Sequence, residues 1–260
     1  MHLRGSEIAR WLRGQVAAAR ADGLVVGLSG GLDSAVVAGL CRTAMPDRVA
    51  ALILPCGSDP ADEADARLAA AHFGIPVAAI DLGPAWERLA ADLVGAVSRL
   101  GVGAPAAGAD NTEAARANMK PRLRMTALYF VANALNYLVA GTANRCELTV
   151  GYFTKHGDGA SDVLPLGNLL KRDVRALARD LGVPDAILDK PPSAGLRPGQ
   201  TDEEDLGFTY ASLERYLTDG PEAVSPAFAL RIERMIRTSE HKRVPPPAPD
   251  SAAAEPADEW

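Results

Sequence analysis

The chain has 260 residues, 48% hydrophobic and 23% charged, with a formal net charge of −6. That composition suits a soluble globular chain with a sizeable core, and the acidic balance argues against a nucleic-acid partner. The longest greasy segment, 127–141, is interrupted by Asn133 and Asn136 and falls short of the ~20 apolar residues of a membrane span; with no apolar signal region at the N-terminus, a cytoplasmic location is expected. In chain order, Ile8, Trp11, Leu12 and Val16 mark a helix over 6–20 with Ser6 as a candidate cap. A short Val/Leu run at 24–28 reads as a buried parallel strand, and helical spacing resumes over 34–40. A second strand (48–54), a helix (59–73) ended by Gly74, a third strand (77–80) and a helix (84–98) follow. A loop at 101–110 precedes a long helical stretch, 112–137, in which Pro121 either starts a new segment or kinks the helix. A strand at 138–141, a helix at 171–181, a Pro/Gly-rich flap at 191–205 and closing helices at 208–217 and 221–238 complete the folded part. Residues 1–244 thus read as a single doubly wound α/β domain with a mostly parallel sheet, and 245–260 as a disordered Pro/Ala-rich tail. Cys41, Cys56 and Cys146 have no metal-type spacing, and Cys41 and Cys146 read as small buried hydrophobes.

Between the first strand and its helix lies Ser29-Gly30-Gly31-Leu32-Asp33-Ser34. A strand-to-helix loop presents free backbone N–H groups and the positive end of a helix dipole, and glycines let an anion come close, so Gly27 to Ser34 reads as a phosphate cradle. It carries an acid where common NTPase loops carry lysine, and it resembles the loop of the ATP pyrophosphatase superfamily, whose members split ATP between the α and β phosphates.

Further blocks extend the likeness: Asn118-Met-Lys-Pro-Arg-Leu-Arg-Met125, Gly141-Thr-Ala-Asn-Arg-Cys-Glu147, Gly151-Tyr-Phe-Thr-Lys-His-Gly-Asp158, Leu164-Pro165, Lys171, Pro192-Ser-Ala-Gly-Leu196, Gln200-Thr-Asp-Glu-Glu204 and His241-Lys-Arg243. Together they resemble the ammonia-dependent NAD synthetases over about residues 3–244. The resemblance implies a five-stranded, mostly parallel sheet of the adenine nucleotide alpha hydrolase type, and a two-step reaction. The carboxylate of deamido-NAD attacks the α-phosphate of ATP, and ammonia then displaces AMP. Carried over onto this chain, Gly27, Leu28, Ser29, Gly30, Gly31, Leu32, Asp33, Ser34, Thr142, Lys171 and Ser193 contact ATP. Asp33 and Glu147 hold Mg²⁺, a hard cation suited by oxygen ligands. Arg122, Lys155, Asp162, His241 and Lys242 contact deamido-NAD, and Asp158, with Lys171 and Asp33, serves catalysis by holding ammonium and taking its proton.

Three positions depart from the family: Pro121 replaces a small helix former, Ser193 a threonine, and His156 an aromatic residue. The chain has no space for the nitrilase-like domain of glutamine-dependent members, so free ammonia or a separate partner is the expected donor. A homodimer with the dinucleotide site at its interface is implied by the family. Two rivals stay open: a related ATP pyrophosphatase acting on another carboxylate, and a nucleotide-binding regulator without catalysis.

Overall fold

The computed structural model describes residues 5–100, 109–192 and 201–249. Helix α1 (Gly5–Ala18) leads into β1 (Gly23–Gly27), α2 (Leu32–Ala44), β2 (Val49–Ile53), α3 (Pro60–Phe73), β3 (Val77–Ala79) and α4 (Gly83–Leu100). Then come α5 (Ala109–Leu135), β4 (Tyr137–Ala140), α6 (Arg145–Val150), α7 (Lys171–Asp180), α8 (Asp185–Leu188), α9 (Asp202–Leu206), α10 (Tyr210–Asp219) and α11 (Pro226–Thr238), with 3₁₀ turns at Pro221–Ala223 and Glu240–Lys242.

Local chemistry sets several boundaries. Asp59 accepts from the Ala61 N–H, Pro60 opens α3, and Gly74 closes it in the left-handed conformation. The expected single helix over 221–238 is split, because Ser225 caps α11 afresh by accepting from the Phe228 N–H, with Pro226 at its first turn. Ser6 lies inside the first turn of α1, and α5 runs through Pro121 without a break. Helices α6, α8 and α9, four to six residues long, are too short for a hydrophobic period to register.

The sheet has the order β3-β2-β1-β4, all parallel. It has four strands among the described residues, where five were expected. The fifth shrinks to one parallel bridge between Ala140 and Val163, and Pro165 just beyond cannot donate to a ladder. Central β1 is buried on both faces. Leu24 and Val26 join the core built with α1, α2 and α7, while Val25 packs with Leu52, Val139 and Ala132 of α5. A smaller helical cluster unites Cys146, Val150, Leu206, Leu213 and Ile232. All three cysteines are buried and unpaired.

From β1 the chain winds outward through β2 to β3, then returns to place β4 on the other side of β1. The crevice beyond the carboxyl ends of β1 and β4 is therefore the switch point where ligands bind in such sheets. Elsewhere apolar side chains stand exposed. Helix α4 buries only Ala90, leaving Val97 and Leu100 exposed, edge strand β3 is exposed throughout, and Phe130 of α5 is 75% exposed. Among the described residues no helix is long and apolar enough to cross a membrane. Residues 245–249 are exposed and carry no regular structure.

Candidate active site

A cavity of ≈ 460 Å³ opens at the switch point. The loop after β1 forms its floor: Gly27, Leu28, Ser29, Gly31, Leu32, Asp33 and Ser34 line it. The loop is braced from within. Ser34 Oγ donates to the Gly31 carbonyl at 2.9 Å, and the Ser29 and Gly31 N–H groups donate to Ser34 Oγ and Ser29 Oγ, each at 3.2 Å. Gly30 has φ +78°, and a Cβ there would run into the Asp62 backbone, so only glycine fits this turn. Helix α2 starts immediately after, capped by Gly31 with no side-chain acceptor, so its first N–H groups face the crevice.

Three distant segments meet above the cradle. Lys171 Nζ lies 2.9 and 2.8 Å from the two oxygens of Asp33 and 3.8 Å from Glu147 Oε1. Asn144 donates to Asp33 Oδ2 at 2.9 Å, and Asn144 and Glu147 form a reciprocal capping box that starts α6. Lys171 stands at the first position of α7, buried and against the helix dipole, an arrangement that only the facing carboxylates make tenable. Burial pulls its pKa down, but Asp33 and Glu147 outweigh this and the net shift is upward. Burial, then repulsion from Asp33, raises Glu147 despite Lys171. Asp202 joins the cluster, bonded through Oδ2 to the Tyr210 hydroxyl at 2.9 Å, and burial raises it too. Three carboxylates thus face one ammonium.

Asp158 lines the same cavity and accepts from the Thr154 N–H at 2.9 Å. Its carboxyl can be reached from the cavity, yet the protein around it strips away enough hydration to push its pKa up, against the pull of Lys242 and Arg124. Lys242 donates to the Gly151 and Phe153 carbonyls, both at 2.8 Å, tying the C-terminal 3₁₀ turn to the loop that carries Asp158.

Of the sequence-expected site residues, the cavity gathers the cradle without Gly30, together with Thr142, Glu147, Asp158, Lys171 and Lys242. Arg122, Lys155, Asp162 and His241 do not line it. Arg122 donates twice to the Lys155 carbonyl at 3.3 Å, and Asp162 accepts from Tyr129 and from the Val139 N–H. Ser193 and most of the expected flap lie outside the described residues, and α9 occupies the flap's end. Asn144, Asp202, Tyr210 and Arg124 join the site without having been among the sequence-expected residues. Asn144 was discoverable, since Asn-x-x-Glu is a capping-box signature. Arg124 lines the cavity and binds the Leu54 carbonyl and Ser58 Oγ, both at 3.0 Å, and no local signal marks it.

A parallel α/β sheet with a glycine cradle and a buried acid–lysine cluster at its switch point defines a nucleotide-binding protein of the Rossmann-like class. The family model for NAD synthase matches residues 5–246, and the chain belongs to that family. It is 46% identical to the NH(3)-dependent NAD(+) synthetase of Carboxydothermus hydrogenoformans, with 94% of this chain and 95% of that protein covered. The enzyme of the same name from Syntrophomonas wolfei is 45% identical, with 92% of each covered. Among solved structures, NMN synthetase from Francisella tularensis is similar with a TM-score of 0.83 and 39% identity, covering 95% of this chain and 97% of that one.

Proposed function

We propose that the chain is an ammonia-dependent NAD synthetase, forming NAD, AMP and pyrophosphate from deamido-NAD, ATP and ammonia. The observation that carries this reading is the meeting of Asp33, Glu147 and Lys171 over the glycine cradle in one cavity with Asp158. A carboxylate oxygen of deamido-NAD attacks the α-phosphorus, and the bond to the β-phosphate oxygen breaks. The cradle N–H groups and Lys171 stabilise the charge that builds on the departing pyrophosphate. Thr142 and Ser193 complete the ATP contacts. Ammonia then attacks the adenylated carbonyl carbon and AMP leaves, while Asp158 takes the proton that the nitrogen sheds.

Asp33 and Glu147 would hold Mg²⁺, and the residues fit it: they are hard oxygen donors in a cluster whose acids outnumber its single ammonium. Among the described residues no group of three or more His, Cys, Asp or Glu side chains is placed to hold a metal by itself. Held there, it would supply positive charge to offset that of the phosphates.

A homodimer accounts for the remaining residues. Arg122 lies on α5, which also exposes Phe130, and Tyr129 of that helix donates to Asp162. Arg122, Lys155, Asp162 and the His241-Lys242 pair would bind deamido-NAD where two subunits meet on this face. Such an enzyme acts in the cytoplasm. The likeness to a protein named NMN synthetase supports a second reading, in which the acceptor is the corresponding mononucleotide acid.

The test is incubation with ATP, Mg²⁺, ammonium and either acid, followed by chromatography. AMP and NAD in equal amounts, with deamido-NAD preferred, are expected. AMP and NMN from the mononucleotide alone replace the first reading with the second. AMP formed only with some other acid supports the related pyrophosphatase, and ATP binding without turnover supports the regulator.

A further inference from the structure

Asp202 is 5% exposed, lines the cavity, and holds only one of its two oxygens in a hydrogen bond. Its Oδ1 is buried and has no hydrogen-bond partner among the described residues, and the nearby Tyr152 hydroxyl gives its one proton to Asp205 Oδ2 at 2.9 Å. A buried acceptor left in this state costs roughly 1–3 kcal/mol, so its retention calls for a ligand that donates to it. The carboxylate is not needed to build its own helix. The Asp202 N–H is bound by the Pro192 carbonyl, Thr201 caps α9 through the Glu204 N–H, and Glu203 takes the Tyr210 N–H.

The Tyr210 hydroxyl has a single proton and two acceptors, Asp202 Oδ2 at 2.9 Å and Glu147 Oε1 at 3.3 Å. The shorter contact takes the proton, which anchors Asp202 and leaves Glu147 Oε1 open to a cation. Asp202 is not grouped with Asp33 and Glu147 closely enough for all three to hold one ion directly. Its reach into the cluster is through an intervening donor.

We infer that Asp202 is the outer-sphere carboxylate of the divalent-cation site: fixed by Tyr210, its Oδ1 accepts a hydrogen bond from a water molecule that the cation carries. This rests on the reading of Asp33 and Glu147 as cation ligands. It gives the Thr201-Asp202 motif, which directly follows the 193–200 segment, a positioning role that joins α9 and α10 to the metal.

Titration of the whole protein with Mn²⁺, followed by loss of the free-ion electron paramagnetic resonance signal, tests it in wild type, Asp33→Asn, Asp202→Asn and Tyr210→Phe. Asp202→Asn should weaken Mn²⁺ about tenfold or more, as loss of an outer-shell partner does, with Tyr210→Phe moving the same way by less. Raising the metal concentration should restore the Asp202→Asn rate, which a purely structural defect would not allow. Wild-type affinity in Asp202→Asn beside lost binding in Asp33→Asn overturns the inference and leaves the cation reading standing. Unchanged binding in Asp33→Asn removes that reading and this inference with it. If Asp202→Asn fails to fold, wild-type affinity in Tyr210→Phe overturns the proposal.

Discussion

Two regions of this molecule invert the usual placement of charge and grease. At the switch point Lys171 is 6% exposed among three carboxylates, whereas on α4 and α5 Leu100 and Phe130 are 67% and 75% exposed. The first is tied together by hydrogen bonds among Asp33 of α2, Asn144 and Glu147 at the start of α6, Lys171 of α7, and Asp202 and Tyr210 of α9 and α10; at the second, large apolar side chains face outward. Each is a surface that one chain leaves unfinished. Under the proposed function polar ligands and a cation would complete the charged one, and a second copy the apolar one.

The hardest blow to the charged region is Lys171→Met, which leaves Asp33 and Glu147 facing each other without an ammonium. Removing one partner of a buried pair should cost about 3–5 kcal/mol in urea unfolding. AMP release should fall on the order of 10³-fold. A variant that folds and turns over normally would show that the cluster is ordinary packing. Asp158→Asn comes next, with amide formation slowed about 10²-fold while the adenylate still forms, as single-turnover quenching would reveal. The surrounding protein strips hydration from the Asp158 carboxylate and raises its pKa from the ordinary value, so the form that accepts a proton gains population as pH rises through that raised value. The wild-type ammonia step should therefore rise with pH through that window, and the asparagine variant should lose this rise.

The apolar region is attacked by Val97→Glu with Phe130→Asp. Both side chains are exposed in the single chain, so its intrinsic stability should change by only about 0.5 kcal/mol per site. Sedimentation should shift from dimer to monomer, and KM for deamido-NAD should rise. A wild-type protein that sediments as a monomer would break the comparison at its root. The smallest effect belongs to neither region. Gly74→Ala, at a left-handed helix end with open space around its Cβ, should lose about 1 kcal/mol and no activity.

Most elements were legible because their signals are local. The Val/Leu run of β1, the Asp59-Pro60 start and Gly74 stop of α3, and the cradle glycines can all be read within a few residues. The four-stranded sheet was not, since whether Val163 extends a strand or makes one bridge depends on what lies beside Ala140. Within the cavity, the glycine loop could be read from its residues, and Glu147 and Lys171 only through the resemblance of the separated blocks to the family. Asp202 could not, because an unpartnered oxygen exists only once Tyr210, eight residues on, has folded back to take the other one.

By itself, then, the sequence determined the parallel α/β order and the glycine loop after β1, since periodicity and turn residues are written along the chain, and its motif blocks determined the family by resemblance. Only the tertiary structure decided that Lys171 would meet Asp33 across 138 residues, that Arg122 and Asp162 would stand outside the cavity, and that α4 would keep its apolar side uncovered. Those outcomes depend on which surfaces the winding of the sheet brings together, and no local stretch of residues carries that information.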